Sequence, residues 1–131
     1  MASFTNQIDN WVRKSQTRMD AVFKQSAQDL AEAVQEPRAK GGRMPVDTGY
    51  LRNSFCADVN SVPTGNGDHR FSMQPIIVAI MRAQLGDRVV FGWSANYAVY
   101  MEARYAFVRS NAQRWNEIVR DAVAKVKRDY K

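Results

Sequence analysis

The stretch FTNQIDNWVRKSQTRMDAVFKQSAQDLAEAVQ, residues 4–35, decides the fold. Its apolar residues are Phe4, Ile8, Trp11, Val12, Met19, Val22, Phe23, Ala27, Leu30, Ala31 and Val34. They recur at steps of three and four, which predicts one amphipathic helix. Ser3 is placed to cap it. Pro37 and the Gly41-Gly42 pair stop it. An unbroken helix over 4–35 is about 48 Å long at 1.5 Å per residue. A 131-residue domain has a radius of gyration of roughly 14 Å, hence a diameter of about 36 Å. Such a helix overhangs its own domain, so it is expected either to break or to have a second chain cover the apolar residues left outside.

Downstream, residues 37–47 read as a mobile loop rich in Pro, Gly and basic residues, with Arg38, Lys40 and Arg43 in it and Arg52 just after it. Asp47-Thr48-Gly49 is expected to cap a short turn or helix through Leu51 and Asn53. Phe55 to Ser61 alternates loosely and reads as a strand, and Val62 to Arg70 as a loop. Pro75 opens a dense apolar segment ending at Gly86. A buried helix suits the proline, and a strand suits Ile76-Ile77-Val78. Arg88 to Ser94 is the clearest strand, with Val89, Phe91 and Trp93 on one face. Asn96 starts a short helical turn through Tyr97, Tyr100 and Met101. A C-terminal helix over about 107–128 carries the stripe Val108, Ala112, Trp115, Ile118, Val119, Ala122, Val123 and Val126. This order implies a single α+β domain spanning 1–131, with a small antiparallel sheet flanked by long N- and C-terminal helices.

The length suits one core, burying about two-thirds of the unfolded surface. A hydrophobic fraction of 45% describes a globular chain. Cys56 is the one cysteine, so no intrachain disulfide is expected. The opening Met-Ala-Ser-Phe-Thr-Asn-Gln has no apolar run, so no signal peptide is expected. The longest apolar run, Ile76 to Met81, is far below the roughly 20 residues of a membrane span. The net charge of +6 is uneven. Residues 1–40 and 41–104 each hold six Lys/Arg and five Asp/Glu, whereas 105–131 holds seven and three. The basic end comprises Arg109, Arg114, Arg120, Lys125, Lys127, Arg128 and Lys131. Cations at a helix C-terminus complement its dipole, and the same charges suit DNA or an acidic partner surface.

No catalytic set emerges. His69 is the one histidine, and a Cys56–His69 dyad competes with the plainer reading of Cys56 as a small buried hydrophobe. One Cys and one His cannot build a standard zinc site. Gly65-Asn66-Gly67-Asp68 lacks the Lys-Ser/Thr ending of a phosphate loop. Asp47, Asp58, Asp68, Asp87 and Glu102 are scattered as caps, turns or salt-bridge residues. Trp93, Tyr97, Tyr100, Tyr105 and Trp115 are expected in the core, with base stacking the alternative. No enzyme activity, metal or cofactor is expected. Two classes remain: an assembly protein, and a small basic nucleic-acid-binding protein using its C-terminal helix.

Pro45-Val46-Asp47-Thr48-Gly49-Tyr50-Leu51-Arg52-Asn53-Ser54 resembles the Pro-Val-Asp-Thr-Gly-x-Leu-Arg-x-Ser signature of the tailed-bacteriophage head–tail joining or tail-completion proteins, the family that includes relatives of the lambda minor tail protein Z. Gly86-Asp87, the strand ending Phe91-Gly92-Trp93, and Asn96-Tyr97-Ala98 followed by Glu102 resemble the family's Gly-Asp, strand, Tyr-Ala-x-x-x-Glu order. Phe107-Val108-Arg109 ahead of Trp115 resembles the start of its final helix. Together these cover about a third of the chain. The chain departs from the pattern at Ala103-Arg104-Tyr105-Ala106, where family members commonly have a glycine and then a Gln-Ala-Pro-type stretch.

The resemblance implies a non-enzymatic virion component of the tail or neck, assembled in the host bacterial cytoplasm as a homo-oligomeric ring, commonly hexameric. Its implied neighbours are the connector, tail terminator or tail tube, with non-specific contact to passing genomic DNA and no membrane. Pro45, Val46, Asp47, Thr48, Gly49, Leu51, Arg52, Ser54, Tyr97, Ala98 and Glu102 are then architectural residues. Asp47 and Thr48 would cap the turn, Gly49 would allow its geometry, and Leu51 would anchor it. Arg38, Lys40, Arg43, Arg109, Arg114, Arg120, Lys125, Lys127 and Arg128 are the candidate contacts to a neighbouring subunit or DNA.

Overall fold

The structure, a computed structural model, describes residues 3–65 and 67–129. Met1 and Ala2 of the opening segment, Asn66 of the glycine-containing loop and Lys131 of the basic end lie outside them. Helix α1 spans Phe4–Gln35, and the Ser3 hydroxyl accepts the Asn6 N–H at 3.2 Å. Its buried residues, Ser26, Ala27, Ala31, Val34 and Gln35, all fall in its last ten positions. Upstream the same stripe is open: Phe4 is 77% exposed and Trp11 69%. The overhang expected from length alone is thus present in the fold.

The sheet consists of β1, Phe55–Val59, and β2, Val89–Trp93, paired antiparallel with Phe55 opposite Trp93 and Val59 opposite Val89. Alternation sends Phe55, Ala57, Val89, Phe91 and Trp93 to one face. That face packs with Ala27, Ala31 and Val34 of α1 and with Ile76 and Ile80. The two alanines of α1 let its backbone lie close to the aromatic layer, where Phe55 stacks on Trp93 at 4.7 Å and meets Phe91 edge-on at 5.4 Å. The Ile-rich segment is helical: α3 spans Gln74–Arg82, with Pro75 in its first turn. It stops at Ala83, short of the Gly86 turn, because the Ala83 backbone is already extended. The strand reading fails there because Ile76, Ala79 and Ile80 bury on one helical face.

A second cluster, Met44, Leu51, Ala95 and Phe107, joins short helices to the loop. Here α2 is Tyr50–Asn53, α4 is Ala98–Tyr105, α5 is Arg109–Ala112 and α6 is Trp115–Asp129. The fold is therefore α+β, a two-stranded antiparallel sheet between a long N-terminal helix and a C-terminal helical arm.

Four expectations change. The segment 37–47 is tied down rather than loose. Pro37 bridges Met44, and the Arg38 and Met44 N–H groups donate to Met44 and Glu36 carbonyls at 3.1 Å each. The fully buried Met44 side chain is the anchor. The C-terminal helix is broken between α5 and α6 rather than continuous over 107–128. The Asn111 side-chain amide donates to the Phe107 carbonyl at 2.7 Å, the acceptor the helical ladder would use, and the Asn111 N–H turns to Val108. Such back-bonding competes with helix. Ala112 is consequently exposed rather than part of a buried stripe. Tyr100 and Trp115 are exposed as well, not core. The first strand ends at Val59, because Asn60 takes a positive φ of 61°.

At that end of the sheet the Asn60 amide donates to Asp87 at 3.1 Å, and Arg82 donates to Asp58 at 2.8 Å. Asp58 also accepts from the Ser61 hydroxyl and the Val59 N–H, and Asp87 accepts the Gln84 N–H. These donors hold both carboxyls below the ordinary carboxylate range, chiefly Ser61 for Asp58 and Gln84 for Asp87.

Two outcomes follow from this packing. Met44→Ala should lower unfolding free energy by about 2–5 kcal/mol, as for other buried Met-to-Ala changes, read by urea denaturation. The depressed carboxyls contribute stability that is present above the unfolded value of about 3.9 and lost as pH falls through their folded values. Stability should therefore drop on acidification below about pH 4, and Asp58→Asn with Asp87→Asn should flatten that dependence in a pH series of melts.

Candidate functional site

The signature segment folds into a hub around α2. Pro45 is half-buried and Val46 exposed, where the chain leaves the Met44 anchor. Gly49, with φ +89°, supplies a left-handed step that a side chain would strain. The Thr48 hydroxyl accepts the Tyr50 N–H at 3.3 Å. Asp47 is exposed and its side chain takes no part in the cap, which falls on Gly49 instead. Leu51 is buried in the second cluster. Ser54 is fully buried, its hydroxyl donating to the Leu51 carbonyl at 2.7 Å and accepting the Ala95 N–H at 3.3 Å.

Arg52 is not available to phosphate. Its Nε donates to the Gln35 carbonyl at 3.0 Å, and its guanidinium lies 4.6 Å over the Phe71 ring. Gln35 returns the bond, its Nε2 donating to the Arg52 carbonyl at 2.8 Å, while its Oε1 accepts the Trp93 indole N–H at 2.8 Å. One buried amide thus ties the end of α1 to α2 and β2.

The second set of motif residues meets the first. Tyr97 precedes α4 and its ring lies 6.4 Å from that of Tyr50. With Pro45, Thr48, Leu51 and Met101 it lines a small cleft of about 150 Å³. Ala98 packs on the second cluster. Glu102 does the most specific work. Its two carboxylate oxygens accept the Val108 and Arg109 N–H groups at 2.9 Å each, across the corner where Ala106 adopts a positive φ of 54°. A carboxylate on free N–H groups at a helix start is a strong cap. These residues are brought together around α2, the start of α4 and the corner before α5.

The basic candidates are dispersed. Arg38 lies 4.6 Å over the Tyr105 ring. Lys125 pairs with Asp29 at 3.1 Å, Arg114 with Glu117 at 3.4 Å and Arg128 with Asp129 at 3.9 Å. Arg43 and Arg114 line a cleft of about 630 Å³ that also holds Asp29, Glu32 and Glu36. Three carboxylates facing two guanidiniums make that cleft unsuited to phosphate. Lys40 and Arg109 are exposed, as are Arg120 and Lys127, which stand seven apart on α6 and so share a face.

Cys56 donates its thiol to the Gly92 carbonyl at 3.4 Å, and burial pushes its pKa up. That is the opposite of an activated nucleophile. Among the described residues no group of three or more His, Cys, Asp and Glu side chains could hold a metal ion. Nor is any described helix long and apolar enough to cross a membrane. The chain shows no match to family models, curated proteins or solved structures. Sequence reading missed Gln35 and Met44. Gln35 sits at the end of an apolar stripe where a solvated amide is the ordinary reading, and its two partners, Arg52 and Trp93, come from distant segments.

Glu102→Ala should lower stability by about 1–2 kcal/mol, the range for lost helix caps, with Glu102→Gln intermediate, measured by denaturant titration at neutral pH.

Proposed function

We propose that the chain is a structural virion protein of a tailed phage, forming a ring at the head–tail junction that completes the tail and helps attach it to the capsid. The observation carrying this reading is the first half of α1, an apolar stripe headed by Phe4 and Trp11 that projects beyond the fold uncovered. A stripe of that size marks an interaction surface on a soluble protein. The signature resemblance supports the same reading. Its residues build a hub that fixes the exit of α1 through Gln35 and Arg52, so they set the direction in which the projecting half points.

In this reading the partners are further copies of the chain, in a hexameric ring, and the connector, tail terminator or tail tube of the neck. A ring at that position surrounds the passing genome, and Arg120 and Lys127 on one face of α6 suit non-specific contact with it. Their exposure also favours the second reading, a basic nucleic-acid-binding protein. Phosphate contact makes binding fall steeply with salt. Purified virions should contain the chain, and native mass spectrometry should show a closed oligomer. A strictly monomeric protein absent from virions, yet retained on duplex DNA at low salt, would establish the second reading instead.

A further inference from the structure

Between α1 and α6 runs an apolar groove of about 480 Å³. Met19, Val22 and Phe23 form one wall, and Trp115, Val119 and Val123 the other. The Ser26 hydroxyl on its floor is buried without a hydrogen-bond partner among the described residues. Two helices side by side leave a trough that a third helix fills, with anchors at i, i+4 and i+7.

The chain carries such a helix. Phe4, Ile8 and Trp11 have that spacing, and the series continues through Ser15, Met19, Val22 and Ser26 on the same face of α1. The exposed stripe is therefore continuous with the face that α6 packs against. α1 cannot fold its own first half into its own groove. It is one unbroken helix over Phe4–Gln35 with no glycine or proline in it. The first half of α1 can therefore reach such a groove only in another copy.

The area suits a contact that each copy makes twice. Aromatic side chains bury about 150–250 Å² each. Phe4 and Trp11, together with Ile8 and Val12, thus offer on the order of 500 Å², against the roughly 800 Å² per partner of a standard interface. The groove walls are the receiving partner's share, so a single contact lies at the small end of the range, and a copy that both gives and receives one makes two. We propose that the groove receives the first half of α1 from a second copy of the chain. Because the projecting helix and the groove are different surfaces, each copy can give one contact and receive one. Such head-to-tail contacts close into a ring or extend as a filament. The closure, though not the contact itself, rests on the ring reading above.

The test uses the full chain with Cys56→Ser, so that only introduced cysteines react. Copies carrying Ile8→Cys are mixed with copies carrying Val123→Cys and mildly oxidised. Disulfide-linked dimers of the unlike chains, and a multi-band ladder from chains carrying both changes, are expected. Trp11→Glu should abolish the cross-link and raise the concentration for half-association at least tenfold. Its melting curve should match that of the wild type at concentrations low enough to dissociate both, since Trp11 lies outside the core. Large assemblies that form without the cross-link and ignore Trp11→Glu would overturn the contact while leaving the ring reading standing. Cross-linked species that stop at the dimer, in native mass spectra, would uphold the contact and overturn the ring. A wild-type chain that stays monomeric and does not cross-link would overturn both.

Discussion

The rest of the structure hangs on the side chain of Gln35. It is buried at the last turn of α1 and reaches two other elements: its Nε2 donates to the Arg52 carbonyl of α2 and its Oε1 accepts from Trp93 of β2, while the Gln35 backbone carbonyl accepts from Arg52 Nε. A buried amide left unsatisfied costs about 1–3 kcal/mol, so alternative placements of α1 against α2 and β2 are disfavoured together. The apolar contacts then pack within a frame already set in register. Trp93 belongs to both clusters, stacking on Phe55 on one side and meeting Phe107 edge-on at 5.0 Å on the other. One polar knot therefore coordinates two small cores that neither α1 nor the sheet could join by shape alone.

Close backbone approaches complete the frame. A Cβ on Gly42 would stand 2.0 Å from the Glu36 carbonyl oxygen, and one on Gly67 2.3 Å from that of Tyr50. The basic loop and the long loop before α3 can fold tightly onto the body only because glycine occupies both places. Gly49 differs, since its need is a left-handed backbone and not space.

Much of this was legible in the residues. The three- and four-residue recurrence marks α1 because the helix is amphipathic over its whole length, and alternation marks β2 because one face, Val89, Phe91 and Trp93, packs on the core cluster. The exposed outer half of α1 was foreshadowed by length against domain size. The break at Asn111 was not legible, because a polar residue in a helical stripe signals nothing until its carbonyl partners on Phe107 and Ala33 are in place. The anchoring of Met44 was hidden for a similar reason: Pro, Gly and Arg around it describe a loop, and only the Leu51–Phe107 pocket makes it core. Asp47 matched a cap by residue type, yet the positive φ of Gly49 moved the helix start past it.

The pairing of α1 with α6 has a consequence for how the protein is made. Lys125 reaches Asp29 across 96 residues of chain, so the covering of the middle of α1 is among the most non-local contacts in the fold. Non-local contacts form late because chain closure must come first. During synthesis the N-terminal segment emerges early, and its apolar face has no cover until α6 has left the ribosome. That uncovered middle, next to the exposed stripe of the first half, makes the nascent chain prone to premature association. Newly made protein would favour slow translation, dilution or chaperone holding during the interval before α6 arrives.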